Sequence, residues 1–447
     1  MGSVLFVVCF HTTRFLLNIP FLASTIITLC ILAVFSLFGL LRITWRLRIP
    51  DEGFLWAFMV SVVLLALFPG ASWDQSHHIP AVCDLIAGIH PLHAAEGTRP
   101  GVTGGFYHYG VEALAAVSIF IAMAGSVKLI FKLVELVTAA ASFWLLYRLI
   151  RDFFSREAAL PGTLVFFWAG NFLVLLNLGR LISGSGWHEV PILIFWGEFA
   201  KGQPPFPGFF FHTYHPTLAL SFPVFLVALW LVLRGGKTRA ALSGLLLGPL
   251  SLANVAMSVS LLGVLFLYPI LKRLATRVWD MKEWGLSLAG GALSALLLGL
   301  PFLLFQKAGP GFETGPFWTV TLELQRNIPL LLGAPVIFLG VPIVLAVPGF
   351  ILAIRGNEVG RNGLAMFLSL AITGLLIPHI FGTNDFVKLF MVGFLGYAPL
   401  AGLVLRWLWV NGWPGRVAVI LCVAGMTISP LAFYIFRWLC FGQGASL

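Results

Sequence analysis

The residues best suited to chemistry cluster in the hydrophilic stretch after the second apolar run of the chain. It opens with Trp73-Asp74-Gln75-Ser76-His77-His78-Ile79-Pro80. It continues through Asp84 and His90-Pro91 to Gly104-Gly105-Phe106-Tyr107-His108-Tyr109-Gly110. Asp74 stands where apolar sequence gives way to water. A carboxylate at such a boundary stays ionised while partly desolvated, which suits a general base. The paired glycines permit a tight backbone, and the ring faces of Tyr107 and Tyr109 could stack on a sugar ring or line a lipid-headgroup pocket. The same residue types also serve simpler ends. Trp and Tyr anchor helices at membrane interfaces, and an Asp or His just outside a span is often merely solvated. A second polar stretch carries Trp187-His188-Glu189, then Gln203-Pro204-Pro205-Phe206-Pro207-Gly208-Phe209-Phe210-Phe211-His212-Thr213-Tyr214-His215-Pro216. Its phenylalanines are too interrupted by proline to span. They read as a loop dipping into the headgroup zone; for them, and for His212 and His215, anchoring and ligand contact are both open.

Something must hold these stretches in place, and the composition says what. Of 447 residues, 59% are hydrophobic and 10% charged, against about 25% charged in soluble domains; mean hydropathy is +0.98. Disordered, collagen-like and nucleic-acid-binding classes are excluded. A bilayer core of about 30 Å takes about 20 apolar residues in helix. By that measure the sequence predicts about twelve spans, near 15–41, 53–71, 128–148, 160–178, 217–233, 240–253, 255–271, 284–305, 330–354, 363–380, 386–410 and 417–437. The expected fold class is therefore all-α, a polytopic transmembrane helix bundle, with residues 1–447 as a single integral membrane domain. Long extracytoplasmic loops are expected near 72–127, 179–216 and 306–329. The spans meeting at Asn254 are short and predict a broken hairpin with both flanks on one side. Pro249, Pro335 and Pro342 read as kinks tolerated within membrane helices. Residues 111–126 read as an interfacial or half-inserted helix, and the first apolar span as a retained helix. Five cysteines without a CxxC pair indicate neither a disulfide framework nor a zinc cage.

Charge sets the expected orientation. The segments 42–52, 149–159, 234–239, 272–283, 355–362 and 411–416, with the adjoining helix ends, hold 17 of the 27 basic residues and seven of the 17 acidic ones. The rest of the chain is balanced, so the whole net charge of +10 falls on one side. By the positive-inside rule that side is cytoplasmic, and both termini face out. The pI is thereby explained without a nucleic-acid partner. All ten histidines fall on the opposite side or at its helix ends. Gly235-Gly236-Lys237-Thr238 mimics the end of a P-loop, but Leu231 occupies the position of the required earlier glycine, so it is rejected as one.

An acid opening the first long outer loop, the aromatic Tyr107-His108-Tyr109-Gly110 stretch at its end, and a helix of the type Lys132-Leu133-Val134-Glu135 running to Tyr147-Arg148-Leu149 together resemble the GT-C superfamily of polytopic glycosyltransferases. The resemblance is strongest over residues 53–160 and continues as topology over most of the chain. It implies a lipid-linked donor, often a polyprenyl-phosphate sugar, and transfer with inversion on the outer side. It also implies a base in the first loop, at the position of Asp74. The basic inner loops and the lack of an Asn-x-Ser/Thr sequon are consistent with a cell inner (plasma) membrane location. Many members pair acids there; here Gln75 follows Asp74 and the next acid is Asp84, which leaves a divalent metal ion open. His77, His78, His108, His188, His212 and His215 with Asp74 would supply ligands, yet no HExxH or i,i+4 histidine pair occurs.

Such chemistry needs a greasy groove for the lipid chain, a base beside the acceptor and a cation at the leaving phosphate. Lys388, in Gly382-Thr383-Asn384-Asp385-Phe386-Val387-Lys388 at the outer start of the eleventh span, is the first candidate, where the positive helix end would assist. A lysine snorkelling at a helix end gives the same pattern. Arg180 follows, then Arg326 and Lys128. The expected site is thus Asp74 as catalytic base, with Lys388, Arg180, His77, His78, Asp84, Tyr107, His108, Tyr109, His212 and His215 in substrate binding. Expected partners are the polyprenyl-phosphate sugar donor, a glycan, lipid or protein acceptor, and membrane lipid. Two other readings are a secondary transporter or lipid flippase, for which Glu135 with Lys132 would be the mid-span ionisable pair, and a non-catalytic subunit with a fixed partner in a membrane complex.

Overall fold

The computed structural model describes residues 2–17, 19–42, 52–67, 79, 82–83, 85–87, 110–122, 127–170, 216–298, 319–320, 340–356, 359–382 and 386–442. They form helices α1 (Gly2–His11), α2 (Phe21–Arg42), α3 (Glu52–Leu67), α4 (Gly110–Ala122), α5 (Val127–Phe153), α6 (Arg156–Trp168), α7 (Pro216–Arg234) and α8 (Lys237–Leu245). There follow α9 (Leu247–Ala253), α10 (Val255–Thr276), α11 (Met281–Leu298), α12 (Val341–Arg355), α13 (Arg361–Ile380), α14 (Phe386–Val410) and α15 (Gly412–Gly442). Thr319–Val320 (β1) and Phe381–Gly382 (β2) pair antiparallel, Thr319 opposite Gly382 and Val320 opposite Phe381. Five helices among the described residues are long and apolar enough to cross a membrane, within α5, α7, α10, α14 and α15. Shorter apolar helices account for parts of α2, α3, α12 and α13.

The bundle is built around α14. Of the most apolar window of α14, 83% is buried, against 28% for α15 at the periphery. Helices in lipid gain little from burying apolar area and rely on close approach at small residues. At the α13–α14 crossing Gly374 meets Gly393, and a Cβ on Gly374 would land on the Gly393 backbone. Gly402 lies likewise against Gly162 of α6. Around these contacts pack stacked and edge-on rings, among them Phe166 with Phe222, Phe394 and Phe167.

The basic segments share one end. Arg148 and Arg151 pair with Asp152, which Arg234 approaches at 3.9 Å. Arg406 lies 3.7 Å from Glu157. The Gly236 N–H donates to Glu283 at 2.6 Å, and Gly360 N–H to Phe154 O at 2.8 Å. Ser155 caps α6 there. The Gly235-Gly236 pair is an interhelix turn with φ of 64° and 95°, not a phosphate loop.

The hairpin at Asn254 forms as expected. Asn254 Oδ1 accepts from the Met257 N–H and starts α10. The outgoing arm is two helices, bent at Leu246, and runs parallel to α11. Ser287 bonds Ala240 O and Ser294 bonds Leu245 O. Its 17 residues, 237–253, rise about 26 Å, at the lower limit of what crosses a bilayer core.

Two expectations are corrected. The first span does not begin at 15: α2 starts at Phe21, and a separate helical segment, α1 continued by a π-helical turn over Thr12–Leu16, precedes it. Its 15 residues fall below the roughly 17–25 that a spanning helix needs; α1 lies against α2, α4 and α9. Pro342 is no kink. It sits in the first turn of α12, after Gly340, where its missing N–H costs nothing. Among the described residues the fold is all-α as expected, with the short β1–β2 ladder as a local addition. Residues 110–122 are helical as expected, and 13 residues are too few to cross.

Candidate functional site

The end opposite the basic one gathers the helix termini from which the predicted site residues emanate. Phe54 at the start of α3 packs against Tyr147, with ring centroids 4.2 Å apart and planes tilted by 39°, so α3 runs from the basic end and finishes at Leu67 on the other. Asp74 follows seven residues later. Lys388 occupies the first turn of α14, 18 residues before Arg406, a rise of about 27 Å. That is nearly the thickness of a bilayer core. Immediately before α14, β2 is clasped to β1, which joins the 306–329 segment to the entry of that helix.

Asp74, His77, His78, Asp84, Tyr107, His108, Tyr109, Arg180, His212 and His215 lie outside the described residues. So do Arg326 and His188, and the side chains of Lys388 and Lys128. Among the described residues no group of three or more His, Cys, Asp or Glu side chains forms a metal-ligating cluster.

What is described is the wall behind that site. Lys132 of α5 donates to Leu65 O at 2.9 Å and pairs with Glu135 at 3.1 Å. Glu135 is 2% exposed. Ionisable groups at membrane depth persist when they pair with one another and with backbone carbonyls. The ammonium also meets the negative C-terminal end of α3. Trp168 Nε1 donates to Ser61 Oγ at 2.9 Å, which ties α6 to the same helix. The outer end of α3, where the Asp74 loop begins, is therefore held by Lys132, and its middle by Trp168. Spacing Lys132 and Glu135 one turn apart was visible in sequence; that both serve α3 was not, because the third partner is a backbone carbonyl 67 positions away.

Across α5 from this tie, α4, α5 and α7 enclose an apolar groove of about 520 Å³. Leu114 of α4, Leu133, Val134 and Val137 of α5, and Leu220 and Val224 of α7 line it. Its hydroxyls are turned to their own helices: Ser118 donates to Leu114 O at 2.7 Å and Thr138 to Val134 O at 2.6 Å. The groove therefore presents hydrocarbon along α5 from Ile130 to Leu145.

No family model matches the chain, and no curated protein does. Among solved structures it is similar to two of the oligosaccharyltransferase of Archaeoglobus fulgidus. One is AglB in complex with an inhibitory peptide and a dolichol-phosphate, at TM-score 0.43 and 12% identity over 86% of this chain and 55% of that one. The other is tethered through a disulfide bond to an acceptor peptide containing the NVT sequon, at TM-score 0.44 and 12% identity over 90% and 56%. This chain spans just over half the length of these two. At that level the likeness carries no argument about activity.

Proposed function

We propose that the chain is a GT-C-like inverting glycosyltransferase that moves a sugar from a polyprenyl-phosphate donor to an extracytoplasmic acceptor. The observation that carries the reading is the polarity of the bundle. Charged groups interlock at one end, while the chain's histidine-rich loops connect helices at the other, beside an apolar groove wide enough for a lipid tail.

In this reading the acceptor hydroxyl oxygen attacks the anomeric carbon from the face opposite the phosphate. Its proton passes to the Asp74 carboxylate. The bond from the anomeric carbon to the phosphate oxygen breaks, and its electron pair leaves with the polyprenyl phosphate. Lys388, with Arg180, stabilises that leaving charge, and the positive end of α14 adds to it. The aromatic and histidine residues of the outer loops hold the sugar and the acceptor, and the basic end faces the cytoplasm of an inner membrane. The groove between α4, α5 and α7 takes the isoprenoid chain. The transporter reading is less well served, because Lys132 and Glu135 tie α5 to α3 rather than facing a central pathway.

The test is transfer of radiolabelled hexose or pentose from polyprenyl-phosphate donors to acceptors in membranes containing the protein. Asp74→Asn should lower transfer by about 10²–10⁴-fold with insertion unchanged. Wild-type transfer by that variant removes Asp74 from the role. Absence of transfer by the wild-type chain, with constant co-purification of one partner, favours the non-catalytic subunit.

A further inference from the structure

A second groove lies at the other end of the bundle, where the proposed sugar chemistry has no use for it. It has a volume of about 400 Å³ and runs between α6, α14 and α15. Pro161, Leu164 and Trp168 line it from α6, Leu405 from α14, and Val423 and Met426 from α15. From Pro161 to Ala169 it extends about 12 Å along the helices, close to the depth of one leaflet of a bilayer core of about 30 Å. Arg406, through its alkyl stem, and Trp409 belong to the lining at the basic end; charge stands just outside it, where the Arg406 guanidinium lies near Glu157 and that of Arg416 sits over the Trp409 ring at 5.7 Å.

We infer that this groove binds an anionic phospholipid of the leaflet at the basic end, one acyl chain in the groove and the phosphate at Arg406 and Arg416. Four observations converge on that occupant. The long walls are hydrocarbon, so the body of the ligand is apolar. The charged end combines two arginines with one acid, Glu157, which is 52% exposed and only 3.7 Å from Arg406, so the mouth keeps a net positive charge. Helices α6 and α15 both begin at that end, so their positive ends offset the negative end of α14, which finishes there at Val410. Trp409 is 45% and Trp413 72% exposed, which sets the mouth at the headgroup level where such rings reside. Basic pockets between membrane helices on the cytoplasmic side are the usual seats of anionic headgroups. The periphery here is also open, since α15 buries little of itself.

The experiment titrates the purified full chain in neutral detergent with palmitoyl-oleoyl phosphatidylglycerol, with phosphatidylcholine of the same chains, or with decaprenyl phosphate. Bound lipid is counted by native mass spectrometry. Phosphatidylglycerol should bind about tenfold more tightly than phosphatidylcholine, a preference of about 1.4 kcal/mol. Arg406→Gln should reduce that preference to within twofold, and Arg406→Lys should keep most of it. Val423→Trp, which fills the groove from an exposed position, should abolish both. All variants are first checked for monodisperse elution, and the Lys variant separates lost charge from lost packing. Equal binding of the two phospholipids by the wild type overturns the inference. Displacement of phosphatidylglycerol by an equal concentration of decaprenyl phosphate does too, as does a dimer that Val423→Trp dissociates.

Discussion

The two grooves are walled alike in hydrocarbon and differ in what stands at their ends. The one between α4, α5 and α7 has lining hydroxyls satisfied by their own helices and lies across α5 from the Lys132–Glu135 tie. The one between α6, α14 and α15 ends in Arg406 and Trp409. An apolar wall says only that a chain of methylenes fits; the head of the ligand is chosen by the nearest fixed charge. One polytopic body can thus address two lipids of different headgroup from opposite ends, with the closely packed α14 between them.

That contrast can be broken or sharpened experimentally. The largest effect is expected at the tie behind the first groove. Lys132→Met removes one partner of a buried pair, at a cost of about 3–5 kcal/mol. Thermal melting should show it, and Lys132→Met with Glu135→Leu should recover most of the loss; an unchanged melting temperature in the single variant would mean that the pair is inert. Next comes Lys388→Ala, for which transfer should fall by about 10²–10³-fold while phosphatidylglycerol binding at the far groove stays intact. A loss of both would couple the two ends. Third, Val137→Trp places bulk in the first groove from a side chain that is 67% exposed. The donor KM should rise about tenfold, on the scale of 1–3 kcal/mol that filled apolar space costs, with lipid counts unchanged; Val423→Trp should do the reverse. The smallest effect is at the basic end itself. Arg234 is 43% exposed and 3.9 Å from Asp152, so Arg234→Ala should change stability by no more than about 1 kcal/mol. A larger drop would mean that this charged face braces the bundle.

The sequence made legible whatever a local signal punctuates. Helix α14 falls on 386–410 as expected, because Asn384-Asp385 precedes it and Asn411-Gly412 follows, with Gly412 at φ 83°. The Asn254 hairpin and the common end of the basic segments were readable for the same reason. Helix α1 was not, since its apolar residues carry no amphipathic period and precede a run of the same character. Pro342 was misread because a proline in apolar sequence kinks a helix or starts one, and only the preceding Gly340 decides. Both grooves depend on which helices become neighbours, and no spacing within one helix encodes that. For Asp74 and the histidines, residue type and loop were legible, whereas their mutual approach depends on chain segments far apart in sequence.

The β1–β2 clasp has a mechanical consequence. It is only two residue pairs long, and so small a ladder is marginal by itself. It fastens Thr319–Val320 to the backbone four residues ahead of α14, the most buried of the five candidate spanning helices. Opening so short a ladder costs little and leaves the packing of α14 untouched, so the clasp is a cheap latch mounted on a fixed post.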